Sequence, residues 1–292
     1  MIKSSVSLAE FTSYRVGGRA QWYAEPVNLE ELREVFAWWQ SQDLPLTVLG
    51  AGSNLLISDR GLPGLVLNTR HLRSSCFDAE TATITAAAGE PLPKIAWRAA
   101  KRGWKGLEWA VGIPGTVGGA VVMNAGAHTS CVADRLVRAL VLNPDGQLET
   151  LSKEDLNYSY RSSSLQGDQR LVIEATFQLE ATDNCEEIMA ITTHNLRHRK
   201  STQPYDRPSC GSVFRNPKPQ FAGALIEEMG LKGYQIGGAQ VSELHANFIL
   251  NIGSAKASDI LRLIRHVQEQ VFDRWSLWLE PEVKVLGEFD GI

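Results

Sequence analysis

Cysteine is scarce in this sequence of 292 residues, and its spacing points to no metal site. The four cysteines are Cys76, Cys131, Cys185 and Cys210, which form no Cys-x-x-Cys pair and resemble no zinc site. Scattered cysteines of this kind fit a reducing compartment. We therefore expect a cytoplasmic protein without a bound metal ion.

The sequence also lacks a long apolar run and an excess of charge. Nowhere do about 18 apolar residues follow one another, and polar residues interrupt the stretch after Lys3, so no export signal or membrane span is predicted. Lysine and arginine total 29 against 33 acidic residues, which gives a net charge of −4. This balance excludes the global basic footprint of nucleic-acid or anionic-membrane binding. The expected partners are small molecules.

Residues 1–68 predict a small α/β lobe. Asn28 is a candidate N-cap with Glu31 three residues later, and apolar residues recur at helical spacing from 32 to 39. Segments 21–26 and 46–49 are short and rich in strand-forming residues. The predicted order is strand, helix, strand.

A second lobe is predicted over residues 69–200. The pattern indicates a strand at 81–85, a helix with one apolar face over 92–99, and a strand pair turned at 144–146. Apolar residues at 171, 173, 175, 177 and 179 alternate with Val172 and the polar residues at 174, 176, 178 and 180, which predicts a half-buried strand.

The third predicted lobe covers residues 201–292 and follows a helix near 186–200 and a segment rich in Pro, Ser and Arg. It should contain a helix at 222–229, a strand at 246–252 and a long helix with an apolar stripe from 260 to 271.

A glycine-rich loop gives the first indication of function. Gly50-Ala51-Gly52-Ser53-Asn54 follows a predicted strand, and such a loop aims backbone N–H groups at a phosphate. The third glycine of a Rossmann fingerprint is missing, strands follow instead of a helix, and no Gly-Lys-Ser/Thr ending marks a P-loop. An ordinary tight turn is the alternative explanation.

A second glycine cluster spans Gly112-Ile113-Pro114-Gly115-Thr116-Val117-Gly118-Gly119 and continues through Asn124-Ala125-Gly126. Two clusters together suit a long cofactor with a diphosphate and a flat ring system, held in a crevice formed by two lobes. Close packing of strands in the second lobe is the alternative.

Six ordered motifs are similar to those of one protein family and cover nearly the whole chain. They are Thr12–Gly18, Leu49–Ile57, Gly112–Gly119, Tyr160-Arg161, Pro208–Pro217 and Leu279–Lys284. In this order they resemble the UDP-N-acetylenolpyruvoylglucosamine reductases. Each motif alone is poor evidence, whereas six in register are specific.

The resemblance implies an α+β fold that begins with a two-lobed FAD-binding domain of the vanillyl-alcohol oxidase type. A smaller α/β substrate-binding domain follows, and its last strand is expected to return to the FAD lobes. It also implies that NADPH reduces FAD, which then reduces the enolpyruvyl ether of UDP-N-acetylglucosamine to UDP-N-acetylmuramate, a peptidoglycan precursor. FAD and NADPH are thus the expected cofactors, and no obligate protein partner is expected.

The resemblance also implies binding positions. Those for the cofactor are Tyr14, Gly50, Ala51, Gly52, Ser53, Asn54, Leu55, Gly112, Ile113, Pro114, Gly115, Thr116, Gly118, Gly119 and Ile173. Those for the substrate are Arg199, Lys200, Gln203, Arg215 and Asn216. Residues 197–218 contain six Lys and Arg against the single acid Asp206, which suits a diphosphate and a carboxylate, although a solvated basic face is the alternative.

Three positions match the family's catalytic residues. Hydride addition to the alkene leaves negative charge beside a carboxylate, so the site needs a cation and a proton source. By the resemblance, Arg161 polarises the carboxylate, Ser212 protonates the carbanion and Glu282 helps to stabilise the enol form. Without the resemblance, a solvated Arg161, a turn at Ser212 and an exposed strand face at Glu282 would explain them.

Other interpretations are weaker. His194 and His198 lie four apart, but the Glu of a His-Glu-x-x-His motif is absent and the surroundings are basic. Cys210 has no evident His partner that would make it a nucleophile. The functional alternatives are an FAD-dependent oxidase of the same fold and a catalytically silent nucleotide-binding module.

One departure from the family is visible. The stretch from Arg161 to Ser212 is short compared with the longer branch of the family, which inserts a loop bearing a substrate-contacting tyrosine. The chain is similar to the shorter branch, so no tyrosine is assigned that role.

Overall fold

The computed structural model describes residues 2–290 and divides into two compact units. Unit 1 comprises the chain up to Lys3, Tyr23–Ala51 and Gly64–Arg199, and unit 2 comprises Ser4–Trp22, Gly52–Pro63 and the chain from Lys200 onward. The division into three lobes at 68 and 200 stays a prediction.

Helices and strands alternate irregularly along the chain, as an α+β fold requires. The helices are α1 (Leu29–Gln40), α2 (Leu92–Ala100), α3 (Val117–Met123), α4 (Cys185–Thr202), α5 (Ala222–Glu228) and α6 (Ala257–Trp275), with 3₁₀ turns at Ala9–Phe11, Glu108–Gly112 and Val132–Asp134. The strands up to residue 131 are β1 (Ile2–Ser7), β2 (Arg19–Ala24), β3 (Leu46–Leu49), β4 (Leu55–Ile57), β5 (Leu62–Asn68), β6 (Ser75–Asp78), β7 (Thr83–Ala87), β8 (Trp104–Lys105), β9 (Gly126–Ala127) and β10 (Ser130–Cys131). The later strands are β11 (Leu136–Leu142), β12 (Leu148–Ser152), β13 (Leu171–Gln178), β14 (Glu180–Ala181), β15 (Gln235–Ile236), β16 (Ala239–Val241), β17 (Ile249–Asn251) and β18 (Lys284–Leu286).

Unit 1 is built around a five-stranded sheet with the order β12-β11-β13-β7-β6, in which every neighbouring pair is antiparallel. Helices α2 and α3 contribute their apolar faces to the same core, which contains Ile84, Ile95, Val121 and Phe177. The strand predicted over 171–180 is therefore confirmed for residues 171–178 as the central strand of this sheet, but Val172 and Thr176 are also buried, so its burial does not alternate.

Helix α1 begins where the sequence predicts it to begin. The Asn28 side chain accepts a hydrogen bond of 2.9 Å from the Glu31 N–H and so satisfies one of the free donors of the first turn. The apolar residues predicted to face inward, including Leu32 and Phe36, are buried. The following strand β3 pairs in parallel with residues 65–68 of β5.

Unit 2 has its own apolar core, in which α5 and α6 bury residues such as Ile226, Ile260 and Ile264. Beside them lies a three-stranded antiparallel sheet, β15-β16-β17. In the same unit, β18 pairs in parallel with β4, so residues 55–57 lie beside residues 284–286.

Two local predictions require correction. The strand predicted at 246–252 covers only Ile249–Asn251, because a turn closed by the Phe248 N–H to the His245 carbonyl precedes it. The second glycine cluster has two structural roles. Gly118 and Gly119 lie in the first turn of helix α3, which was not predicted. Gly126 lies on β9, which pairs closely with β10, as the strand-packing alternative predicts. No helix within residues 2–290 combines the length and apolar character needed to cross a membrane.

Candidate active site

The residues predicted to form the site fall in both units, and each set is described within its own unit. In unit 1, Gly50 faces the side chain of Thr116. A Cβ atom on Gly50 would lie 2.6 Å from Thr116 Oγ1, which a real Cβ contact does not tolerate. The Thr116 hydroxyl is buried and has no hydrogen-bond partner among residues 2–290. A buried hydroxyl without a protein partner, next to a glycine whose backbone no side chain covers, is suited to bind a polar ligand.

The glycines of the second cluster have different roles. Gly115 has φ +146°, a conformation that L side chains rarely adopt. Gly118 packs closely, because a Cβ there would lie 2.9 Å from the Ala88 Cβ, and its N–H donates to the Ala88 carbonyl. Gly119 would meet only ordinary contacts. Packing therefore explains Gly118, while Gly119 leaves space at the start of α3.

The neighbouring predicted positions in unit 1 are ordered by backbone contacts. Gly112 ends a 3₁₀ turn, and the Ile113 N–H donates to the Ala110 carbonyl at 3.1 Å. Ile173 lies on β13, where its carbonyl accepts from the Ala88 N–H at 2.8 Å. These contacts fix the backbone positions but do not test a cofactor role for Gly112, Ile113, Pro114, Ala51 or Ile173.

In unit 2, the rest of the first glycine loop holds the segment that contains Glu282. Gly52 has φ +63°, and a Cβ there would collide with the Phe11 carbonyl oxygen. The Asn54 carboxamide donates to the Glu282 carbonyl at 3.0 Å, and the Asn54 carbonyl accepts from the Lys284 N–H at 3.0 Å. The parallel pairing of β4 with β18 continues these contacts.

Tyr14 and Cys210 are fully buried in the same unit. The Tyr14 hydroxyl has no partner among the described residues, and burial, followed by the nearby Cys210, raises its pKa well above the ordinary value. The Cys210 thiol donates to the Leu55 carbonyl at 3.3 Å, and burial raises its pKa to about 12. The thiol is thus protonated at neutral pH, which weakens the interpretation of Cys210 as a nucleophile.

Ser212 and Glu282 lie on two segments of unit 2 that are joined by backbone hydrogen bonds. The Glu282 N–H donates to the Val213 carbonyl at 2.7 Å, and the Val213 N–H donates to the Asn247 carbonyl at 2.8 Å. Ser212 directly precedes Val213, and both Ser212 and Glu282 are partly exposed. The structure therefore brings two of the predicted catalytic residues onto adjacent, hydrogen-bonded segments.

Arg161 lies at the tip of a tight turn in unit 1. Ser159 and Ser162 exchange two backbone hydrogen bonds of 3.1 Å, and Arg161 between them has φ +56°, which is uncommon for a residue with a side chain. Its guanidinium donates to the Gly126 carbonyl at 2.7 Å and lies 4.9 Å from the Tyr160 ring centroid. A strained, ordered arginine of this kind is typical of functional sites.

The predicted substrate-binding positions divide into two groups. Arg215 pairs with Glu280 at 3.1 Å, and the Asn216 carboxamide oxygen accepts from the Ala222 N–H at 3.1 Å at the start of α5. Both residues therefore have structural partners, which leaves a substrate role untested. Lys200 is exposed, and Arg199 and Gln203 are partly exposed.

Sequence reasoning missed two polar residues near these loops in unit 1. Glu90 is buried, one of its carboxylate oxygens has no hydrogen-bond partner in the described part of the chain, and its carbonyl accepts from the Val117 N–H in the second glycine cluster. Asn124 has φ +43° at the end of α3, and its carboxamide bridges the Ser159 carbonyl and the Ala133 N–H. Asparagine tolerates the left-handed conformation, but this cap could not be predicted because helix α3 itself was not.

The three histidines near α4 do not form a metal centre. His194 and His198 stack with ring centroids 6.3 Å apart, and His128 lies 6.0 Å from His198. Burial, then the charges of His198, Arg199 and His194, lower the pKa of His128. Within residues 2–290 no group of three or more His, Cys, Asp or Glu could hold a metal ion.

Comparison with known proteins defines the class first. Residues 20–152 match the model of an FAD-binding domain. The orphan hydroxyl of Thr116 and the bare backbone at Gly50 fit the diphosphate of such a cofactor. The chain is therefore an FAD-dependent oxidoreductase, and the predicted α+β class is confirmed.

The particular family follows from the rest of the chain. Residues 203–286 match the C-terminal domain of UDP-N-acetylenolpyruvoylglucosamine reductase. Enzymes of that name from Synechocystis sp. and Nostoc punctiforme are 65% and 64% identical over 99% of this chain, which spans 92% and 87% of their lengths. The crystal structure of the reductase from Thermus caldophilus has a TM-score of 0.83 at 37% identity and covers 98% of this chain and 100% of its own. The chain belongs to the UDP-N-acetylenolpyruvoylglucosamine reductase family.

Proposed function

We propose that this protein uses NADPH and FAD to reduce UDP-N-acetylglucosamine enolpyruvate to UDP-N-acetylmuramate, a precursor of peptidoglycan. The observation that supports this most is the 65% identity with a named reductase over nearly the whole chain. The site geometry agrees, because an unpartnered hydroxyl and bare glycine backbone face each other in the FAD-binding segment. An oxidase or a silent nucleotide-binding module is not favoured by any contact described above.

When bound, FAD would supply hydride chemistry between NADPH and the alkene. The protein's contribution is to bind and orient. Gly50 and Thr116 in unit 1 are proposed to hold the diphosphate through backbone N–H groups and a hydroxyl. In unit 2, Gly52, Ser53, Asn54 and the buried Tyr14 are proposed to extend this role.

Three residues are proposed to handle the charge and the proton. Arg161, whose guanidinium is fixed by the Gly126 carbonyl, would polarise the substrate carboxylate and stabilise the negative charge that develops on it. Ser212 would deliver a proton to the neighbouring carbon. Glu282, bonded through its backbone to Val213, would stabilise the enol form.

The substrate's diphosphate is proposed to lie near basic and amide side chains. Arg199, Lys200 and Gln203 suit this role best, since their side chains are at least partly exposed. Arg215 and Asn216 would act from positions fixed by Glu280 and by the start of α5. A cytoplasmic location, without an obligate protein partner, is proposed from the composition and the substrates.

The test is Ser212→Ala, measured by stopped flow in each half-reaction. Loss of a general acid typically costs about 10²- to 10⁴-fold, so oxidation of reduced flavin by the enolpyruvyl nucleotide should slow by that order. Reduction of the flavin by NADPH requires no such proton and should keep the parental rate. Equal slowing of both steps would indicate damage to the flavin pocket, and an unchanged second step would remove Ser212 from the mechanism.

A matched control is Ser41→Ala, which removes an exposed hydroxyl that donates to the Trp38 carbonyl at the end of α1. Both half-reactions should keep their parental rates in this variant. A purified protein without flavin absorbance near about 450 nm would favour the silent nucleotide-binding module. Turnover with oxygen in place of the enolpyruvyl nucleotide would favour the oxidase.

A further inference from the structure

Asn247 is a buried residue that the reaction chemistry does not require, and every polar group it has is used on the segment around Ser212 or on its own loop. Its side-chain oxygen accepts from the Phe214 N–H at 2.9 Å, and its side-chain nitrogen donates to the Phe214 carbonyl at 2.8 Å. Its backbone carbonyl accepts from the Val213 N–H at 2.8 Å, and its own N–H donates to His245 Nδ1 at 3.2 Å.

The two bonds to Phe214 reproduce the pairing of an antiparallel strand with a side chain in place of a backbone. A carboxamide can donate and accept in this way without carrying a charge. On the opposite side of the same segment, the Val213 carbonyl accepts from the Glu282 N–H, and Phe214 forms an isolated bridge with Pro281. Residues 213–214 are therefore held between Asn247 and the Glu282 segment.

We infer that Asn247 is a positioning residue for the step in which substrate is protonated: it fixes residues 213–214 and thereby sets Ser212 relative to Glu282. This inference rests on the roles proposed above for Ser212 and Glu282. A proton donor must be held in line with the atom it protonates, and a misplacement of about 1 Å can reduce the rate by about 10²-fold. Asn247 does not need to touch the substrate to have this effect.

The sharpest variant is Asn247→Asp, which has nearly the same shape. As a carboxylate it still accepts from the Phe214 N–H but cannot donate to the Phe214 carbonyl, whereas the protonated acid can do both. Burial and the facing carbonyl oxygen both disfavour the charged form, so protonation should occur above the usual range for aspartate.

We expect oxidation of reduced flavin by the enolpyruvyl nucleotide to be about 10²-fold slower than parental at about pH 8. The deficit should shrink as the pH falls to about 5.5, because protonation restores the donor. Flavin reduction by NADPH should remain within about twofold of parental throughout. The parental protein is measured at each pH so that its own pH profile can be divided out.

The control variant is Asn68→Asp, which also removes a buried amide donor, here the one to the Tyr23 hydroxyl at 3.0 Å. It should affect stability without selective slowing of the substrate step. A second readout is independent of turnover: in Asn247→Ala the Phe214 amide loses its acceptor, so its hydrogen exchange should accelerate selectively. If Asn247→Asp does not retain flavin, Asn247→Ser replaces it, with slowing that does not depend on pH.

A parental rate in Asn247→Asp or Asn247→Ser, alongside a slow Ser212→Ala, would overturn the positioning role alone. Equal slowing of both half-reactions, or slowing of Asn247→Asp at every pH, would also overturn it, because either result describes general damage. A parental rate in Ser212→Ala would instead overturn the role of Ser212, so the two failures can be distinguished.

Discussion

The backbone at Arg161 offers a test that separates conformational strain from chemistry. Its φ of +56° belongs to the left-handed region, where a residue with a Cβ is disfavoured by roughly 1–2 kcal/mol and glycine is not. The turn is closed by the reciprocal bonds between Ser159 and Ser162, and the Gln166 side chain donates to the Arg161 carbonyl at 2.8 Å. These contacts hold the strained residue in place.

Arg161→Gly and Arg161→Ala both remove the guanidinium and its bond to the Gly126 carbonyl. They differ in the Cβ atom, which keeps the strain in the alanine variant and removes it in the glycine variant. Glycine gains extra freedom in the unfolded chain, which offsets part of the difference. We therefore expect Arg161→Gly to be more stable than Arg161→Ala by about 1 kcal/mol, or roughly 2 °C in Tm.

The assay is denaturant unfolding of both variants at one fixed FAD concentration, because bound cofactor itself shifts the apparent stability. Activity provides the second half of the comparison. Both variants should be equally slow in oxidation of reduced flavin by substrate, while Arg161→Lys should recover part of the rate because it keeps the charge without the planar fork. Equal stability of the glycine and alanine variants would refute the strain argument, and parental activity of Arg161→Gly would refute the catalytic role.

Two further predictions concern the cofactor loop and the buried thiol. Gly50→Val should lower the flavin content after gel filtration, because the valine side chain would collide with Thr116 Oγ1. The control Gly146→Val lies at a turn with φ +85° and open surroundings, and it should keep a full complement of flavin. Equal flavin retention in the two variants would show that Gly50 does not hold the cofactor. Burial raises the pKa of Cys210 to about 12, so this thiol should resist iodoacetamide at a pH near 8 in the native protein and react only on unfolding. Mass spectrometry should show that the exposed Cys76 reacts first. Rapid labelling of Cys210 in the native protein would contradict its burial.

The helices that sequence reasoning located best are those whose formation depends on nearby residues. Helices α1 and α2 follow directly from apolar periodicity, and the Asn28 cap lies three residues from the group it bonds. Helix α3 was missed because its second and third residues are glycines, which have low helix propensity, and tertiary contacts such as the Gly118 N–H to the Ala88 carbonyl determine its start.

In the candidate site, too, features that depend on distant contacts could not be predicted from the sequence. The glycine loops and the motif around Ser212 could be recognised from local patterns. The left-handed turn at Arg161 could not, because residues 159–162 are Ser-Tyr-Arg-Ser and include no glycine, asparagine or aspartate. Asn247 is 33 residues from Phe214, so nothing in its immediate sequence indicates the pairing. The sequence likewise gave no sign that Asn216 would hold the first N–H of α5.

The arrangement around Val213 places two residues 70 positions apart on adjacent segments. The Val213 carbonyl accepts from the Glu282 N–H, and the Asn54 carboxamide donates to the Glu282 carbonyl. Backbone bonds constrain position without requiring particular side chains at 213 or 283. Asn54 and Asn247 contribute through side chains instead, and at Asn247 a carboxamide takes the place of a neighbouring strand, so its proposed positioning role depends on the identity of that residue.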